Sequence, residues 1–414
     1  MRLVMRVKRA EQIWIRRNDN ISTFAHLSKN LHNEANYIIR QEFFSNRKWI
    51  RYDDLNRLMK YSENYRSLPA QTAQQTLRLL DKSWKAFFNA TREWKKHPDR
   101  FLGRPKPPHY KEKDGEYILM FTNQQCKLGD KILKFPKIME MEVKTRLENV
   151  DLREVRILPE GVGYRVEIVY EKIISDVEPF KSQRILGIDI GVRNLVTIGN
   201  NILEKGIAVR AGLLKSINQF YNKENARLRS INDLQEGKAI TKRLQRLITE
   251  RNRKIKDVMH KTGKSIVEYA KSRNIDAIVI GHNDGWKQSV NIGYRNNQNF
   301  VQLPFNMLIQ QIKYKAEEHG IIVITQEESY TSRCSFIDNE SVKHHDRYAG
   351  RRIRRGIFQS ADGKLIHADL NASYNIIKKA VPEAFANGIE GIGLYPRSLS
   401  IPQFCGMITS KGGC

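Results

Sequence analysis

The apolar and polar positions of this chain change rhythm several times. The opening "RLVMRVKR" alternates apolar and basic residues, and period two predicts a strand over residues 1–10. From there to about residue 100 the pattern is helical. In "LPAQTAQQTLRLLDKSWKAFFNATREW", Ala73, Leu77, Leu80, Trp84 and Phe87 fall on one stripe. The stretch "GRPKPPHYKEKDGEY" then breaks the helix with prolines and glycines. Strand-like runs follow up to about residue 174: "EYILMF", "KILKFP", "VRILPE" and "YRVEIVYE". A helical insertion, residues 11–100, therefore sits inside a small β domain made of residues 1–10 and 101–180.

The segment "VEPFKSQ" reads as a linker. Three strands come quickly after it, "RILGIDIG", "NLVTIG" and "GIAVR". A long basic helical region covers about 213–273, with Ile240, Leu244, Leu247, Ile255, Val258 and Ile266 on its apolar stripe. Next come a strand "DAIVIG", a helix from Pro304 to Gly320, a strand "IIVITQE", and a last helix opened by "HADLNASYNIIKKA". Three strands and then alternating helices and strands is the order of an RNase H-like domain. The expected class is α+β multidomain, with that core over 181–328 and 366–380 and an insertion over 329–365. Residues 381–414 mix glycine and proline with weak periodicity and are expected to form a disordered tail.

Charge narrows the partners. Lysine plus arginine is 72 and aspartate plus glutamate 45, a net of +27. Self-repulsion on that scale calls for a polyanion, with nucleic acid ahead of a membrane surface. No apolar run approaches the roughly 20 residues that a spanning helix needs. The start "MRLVMRVKRA" is too short and too charged for a secretory signal. Cysteines at 126, 334, 405 and 414 form no CxxC pair, so neither a zinc site nor a disulfide framework is expected. A reducing, cytoplasmic setting is the corresponding expectation.

Two aspartates are candidates for chemistry. Asp189 lies inside the apolar "LGIDIGVRN". A carboxylate there is costly to desolvate unless it is paired, protonated or metal-bound. It is read either as a strand-end aspartate that caps a turn or pairs with Arg193, or as a metal ligand. Gly187 and Gly191 share its face and would let a phosphate backbone come close. Asp369 opens a helix, where aspartate is also a favoured N-cap. Asn371 and Asn375, one turn apart, share a side of that helix.

"GIDIGVRNLVTI", the basic helical region and "HADLNASYNI" together resemble the split RuvC-type core of the TnpB family, transposon-encoded RNA-guided DNA endonucleases related to type V CRISPR effectors. "SLPAQTAQQTLRLLDKSWKAFF" followed by "GRPKPPHYK" resembles that family's helical recognition segment. The resemblance implies a RuvC-like nuclease core and a β-barrel-like wedge domain with a helical recognition insertion. It also implies a guide RNA from the transposon end and a DNA target with a short flanking motif. Two Mg²⁺ ions are implied at the site, with Mn²⁺ able to substitute. There are two departures from the family pattern. Gly281 stands where the fourth strand of the core usually ends in glutamate, and only Cys334 remains of the usual zinc ribbon. The insertion is therefore expected to fold without zinc. Arg351, Arg352, Arg354 and Arg355 within it are expected to face phosphates rather than form a solvated charge run.

Two-metal hydrolysis needs more than two carboxylates. Asp284, Glu327 and Glu328 are the candidates for a third. Consecutive strand residues face opposite ways, so only one of the two glutamates can point at the ions. A branch of the family also carries "GxNxxWKQ" and "EESYTS", and that similarity implies a relocated glutamate, with Glu328 favoured and Glu327 next. Catalysis is accordingly assigned to Asp189, Glu328 or Glu327, and Asp369. Trp286 is a candidate for base stacking and Lys287 for phosphate binding, against a plainly packed loop. The rival function is an RNA-guided DNA-binding regulator that no longer cuts. A self-sufficient transposase or junction resolvase is the third reading.

Overall fold

A computed structural model describes residues 3–177, 183–234, 240–283 and 302–409. The chain divides into two compact units, one of Met5–Ile174 and one built mainly from Ser175–Cys414.

In the N-terminal unit, β1 (Leu3–Arg16) is followed by helices α1 (Asp19–Asn46), α2 (Tyr52–Met59), α3 (Glu63–Arg66) and α4 (Ala70–Lys96). Strands β2 (Leu119–Thr122), β3 (Lys127–Gly129), β4 (Ile132–Lys134), β5 (Glu142–Lys144), β6 (Asp151–Glu160) and β7 (Gly163–Val177) come next. They form one sheet in the order β1-β7-β6-β2 and a second in the order β3-β4-β5. β1 outruns the ten residues read from the sequence. Its alternation continues through "EQIWIR", with Glu11 buried and Ile13 and Ile15 packed on the core. The stripe on α4 is inward as its spacing requires, with Ala73, Leu77, Leu80 and Trp84 all fully buried.

The second unit is organised by a six-stranded sheet. Its strands are β8 (Ile185–Ile190), β9 (Asn194–Asn200), β10 (Ile207–Arg210), β11 (Ala277–Gly281), β12 (Ile322–Gln326) and β16 (Arg397–Ser400), in the order β12-β11-β8-β9-β10-β16. β8, β9 and β10 run antiparallel in turn, whereas β11 is parallel to both β8 and β12. One face packs on α5 (Gly212–Leu234), α6 (Lys242–Lys271) and α7 (Phe305–Glu317), joining Leu186, Ile188 and Ile190 to Ile255, Val258 and Leu308. On the other face Ile185, Ala277 and Val279 meet Ile376 and Ile377 of α8 (Ala368–Ala380). Period-two alternation places Asp189 on the face that α8 covers. The insertion before α8 carries a small sheet of β13 (Arg351–Arg354), β14 (Ile357–Gln359) and β15 (Leu365–His367).

The expected disordered tail is corrected by the structure. Its residues 397–400 form β16, paired in parallel with β10, and α9 (Ile401–Thr409) follows directly. Leu399, Ile401 and Phe404 are buried in the same core as Ile255 and Met259. The reason is geometric. Without β16 the outer edge of β10 would be an open row of hydrogen-bonding groups, and this short strand covers it. The sequence "RSLS" is mostly polar and shows no apolar run, unlike the equally short "IAVR" of β10. Ile240, read on the basic stripe, is 54% exposed and lies just before α6 begins.

Candidate active site

Glycines set the approach of α8 to the sheet. Gly187 on β8 is paired across the ladder with Gly199 on β9. A Cβ at position 187 would run into the Ser373 carbonyl and Ile377, and one at position 199 into Ser373 and Tyr374. Gly187 therefore admits a helix, not the phosphate backbone that the sequence suggested. From Gly187 to Asp189 is two strand residues, about 6.6 Å. From Ser373 back to Asp369 is four helical residues, about 6 Å. The close crossing at the glycines thus sets the Asp369 end of α8 over the Asp189 end of β8.

The third carboxylate arrives from β12. The last recorded pair between β8 and β11 is Ile188 with Ile280, which leaves Gly281 beside Asp189. A Cβ built on Gly281 would lie 2.5 Å from Ile376 Cδ1 and 3.1 Å from Glu328 Oε2. The Glu328 carboxylate therefore reaches the space that a side chain at 281 would enter. Asn283, just past β11, fixes it from two sides. Its Oδ1 accepts from the Glu328 backbone N–H at 3.0 Å, and its Nδ2 donates to Glu328 Oε1 at 3.4 Å. Glu327 turns away and pairs with Lys379 Nζ at 2.6 Å.

α8 also holds the loop that carries Glu328. Asn371 accepts from the Phe336 N–H at 2.9 Å and donates to the Cys334 carbonyl at 2.9 Å. Asn375 donates to the carbonyls of Thr331 (2.9 Å) and Cys334 (2.7 Å). Lys379 adds the Ser329 carbonyl at 3.1 Å. Positions 371, 375 and 379 recur every fourth residue, so one helical stripe grips one loop. Both asparagines are wholly buried.

The electrostatics follow from this crowding. Burial pushes the Asp189 carboxyl well up from its ordinary range, and repulsion from Asp369 and Glu328 adds to the rise, while Arg352 opposes it. Burial, followed by repulsion from Glu327, raises Glu328 to about 7. Glu327 is lowered, chiefly by its hydrogen bond to Lys379. Asp369 accepts from Asn194 Nδ2 at 2.9 Å and lies 3.8 Å from Arg352 Nη2. Among the described residues, no three His, Cys, Asp or Glu side chains are gathered closely enough to ligate one ion.

Of the residues singled out in the sequence, the fold thus brings Asp369 and Glu328 near enough to Asp189 to raise its carboxyl, and sends Glu327 elsewhere. Arg351, Arg352, Arg354 and Arg355 are all exposed, but Arg352 leans toward Asp369. Asp284, Trp286 and Lys287 lie outside the described residues. In the insertion, Cys334 is buried with Sγ 3.5 Å from the Lys343 carbonyl, and His345 Nε2 lies 2.7 Å from the Ser341 carbonyl. Sequence reasoning missed the roles of Asn194 and Asn283. A signal was present only for Asn283, which precedes the candidate Asp284, whereas Asn194 lies five residues past Asp189 with nothing to single it out.

Comparison with known proteins agrees with this architecture. Residues 165–287 match the OrfB_IS605 family, described as a probable transposase, and residues 305–376 match the Cas12f1-like TNB domain. The TnpB-like protein ORF457 of Acidianus two-tailed virus is 24% identical over 401 residues, covering 86% of this chain and 82% of that protein. The cryo-EM structure of a Cas12f1–sgRNA–target DNA complex aligns with a TM-score of 0.53 at 12% identity, covering 87% of this chain and 83% of that one. The structural likeness shows a mixed α+β fold shared with that Cas12f1 chain, and residues 165–287 are similar to the probable-transposase family. The similarities are thus to OrfB_IS605 and Cas12f1-like family models over parts of the chain and to a TnpB-like protein along most of it. No helix among the described residues is long and apolar enough to cross a membrane.

Proposed function

We propose that this protein is an RNA-guided DNA endonuclease of a transposable element, with Asp189, Glu328 and Asp369 holding two Mg²⁺ ions at an RNase H-like site. The observation that carries the reading is Glu328 Oε2 lying 3.1 Å from where a side chain at 281 would begin. The acid absent from β11 is supplied from the loop just past the neighbouring β12. The strand order, with three antiparallel strands and then two parallel ones on the far side of β8, supports an RNase H-like core. The net charge of +27 and the guide RNA and target DNA in the Cas12f1 complex support RNA and DNA as partners. Sequence choice then falls to guide pairing, while the protein reads heteroduplex shape and a short flanking motif.

The donors suit hard divalent cations, since all three are carboxylate oxygens and each adds negative charge that a cation offsets. Two ions shared among three carboxylates do not require one ion to collect all three. When bound, the ions supply an activated water and stabilise the leaving oxygen. The chain's own groups prepare the site. Asn194 orients Asp369, Asn283 fixes Glu328, and Lys379 keeps Glu327 out. Arg352, 48% exposed, is placed to meet a phosphate that enters beside Asp369.

The test is to copurify the protein with RNA from its own locus and assay cleavage of a matched duplex with Mg²⁺. Wild type should cut and Asp189→Ala should not. Cutting that survives Asp189→Ala overturns the site. A second reading, a regulator that binds without cutting, is favoured by Gly281 and by the spacing of the acids. Tight guide-dependent binding with no cleavage by wild type would assign it.

A further inference from the structure

The proline-rich segment of the N-terminal unit that follows α4 is pinned along one face of α1. Lys29 Nζ donates to the Lys113 carbonyl at hydrogen-bonding distance. Asn33 donates to the Lys111 carbonyl at 2.9 Å and accepts from its N–H at 2.8 Å. Asn36 and Arg40 both donate to the Pro108 carbonyl at 3.0 Å. Positions 29, 33, 36 and 40 share one helical face. Lys29 is 3% exposed and Asn36 fully buried, the latter also accepting from Trp84 Nε1 at 3.0 Å. Buried polar groups are thus committed to fixing the backbone of a strap that contributes nothing to the apolar core. With its carbonyls aimed at α1, the strap leaves Arg104, Lys106 and Tyr110 exposed. A rigid backbone with exposed side chains is what binding without an ordering cost requires.

At the centre is an exposed column. Arg40 Cζ lies 5.3 Å from the ring centroid of Phe44 and 5.3 Å from that of Tyr110. The two rings are 52% and 47% exposed. We infer that the Phe44–Arg40–Tyr110 column is a stacking platform for unpaired bases of the RNA partner, with Arg104 and Lys106 beside it on the sugar–phosphate backbone. This rests on the reading above that the protein carries an RNA. A base laid on either ring extends a ring–guanidinium–ring stack, and cations on the strap meet the flanking phosphates. A duplex cannot use the platform, because its bases are already stacked on each other. RNA is favoured because unpaired loops, bulges and ends of a folded RNA present splayed bases to aromatic and guanidinium planes.

The experiment uses the full chain and its copurified RNA. Affinity, its salt dependence and the melting temperature are measured for wild type, Phe44→Ala, Tyr110→Ala and Tyr110→Phe. Ultraviolet crosslinking with peptide mapping is run on wild type. Each alanine variant should bind RNA roughly 10-fold more weakly. The salt slope should hold, since no phosphate contact is removed. Melting should be unchanged, Tyr110→Phe should behave as wild type, and crosslinks should map to the α1 and strap peptides. The inference is overturned if the alanine variants bind RNA as tightly as wild type. It is also overturned if affinity falls only in step with melting temperature, or if those peptides crosslink to target DNA alone. Wild type that carries no RNA would defeat the functional reading itself, which distinguishes the two failures.

Discussion

Glu327 and Glu328 are adjacent and chemically alike, yet they have opposite environments. Glu327 sits in solvent with an ammonium partner, and Glu328 is turned inward, near enough to Asp189 to raise its carboxyl. Removing Glu328 by Glu328→Gln should lower cleavage by about 100-fold or more, the scale of losing a group that acts directly on reaction charge. Glu327→Gln should leave cleavage within a few-fold of wild type, and equal losses from the two variants would contradict the assignment. Glu328 also gives a pH signature. Its value in the fold, about 7, lies above the usual 4.5, so its ionisation disfavours the metal-free fold. That penalty is absent below the usual value, grows as pH rises, and is complete above about 7. Metal-free melting temperature should therefore fall across that window, and Mg²⁺ should restore it most on the alkaline side. A melting curve indifferent to Mg²⁺ at every pH would count against the site. At this scale the sequence named Glu327, Glu328 and Asp284, and resemblance favoured Glu328. Residue pattern alone could not separate the two glutamates, since their surroundings depend on Asn283 and Lys379, which are 45 and 52 residues away.

α8 is the element on which the site turns. Its N-terminal end presents Asp369, its middle crosses the glycine pair, and its asparagine stripe grips the loop after Glu328. Asn375→Ala would leave the Thr331 carbonyl without its buried donor, a cost of about 1–3 kcal/mol, while the Cys334 carbonyl keeps Asn371. The melting temperature should fall accordingly, and cleavage should fall further than in a variant of equal instability elsewhere. Cleavage that tracks stability alone would show that the stripe does not position Glu328. Gly187→Ala should be worse for the fold, because the Ser373 carbonyl it meets is backbone and cannot swing aside. The sequence placed both asparagines on one side of the helix, as they are. What they hold was not legible, because hydrogen bonds to backbone carbonyls leave no trace in residue type at the other end.

Across the whole molecule, segments marked by an apolar run or a clear apolar stripe were legible, and the C-terminal strand and helix were not. The α4 stripe and the strands of the central sheet followed from repeating patterns. β16 and α9 did not, since each is brief and gains its stability from the edge it covers and the core it joins. Phe404, fully buried, should cost about 3–5 kcal/mol on replacement by alanine. Removal of residues 397–414 should lower melting further by uncovering β10. Unchanged melting in both variants would show that the C-terminal segment is dispensable to the sheet.

The central claim is that the acid missing at 281 is supplied by Glu328, so that three carboxylates hold divalent cations together. Calorimetric titration with Mn²⁺ of wild type, Glu328→Gln and Glu327→Gln tests it most directly. Wild type and Glu327→Gln should bind alike, while Glu328→Gln should bind at least about 10-fold more weakly, the scale of one lost ligand contact. Glu328→Gln binding Mn²⁺ as tightly as wild type would contradict the claim.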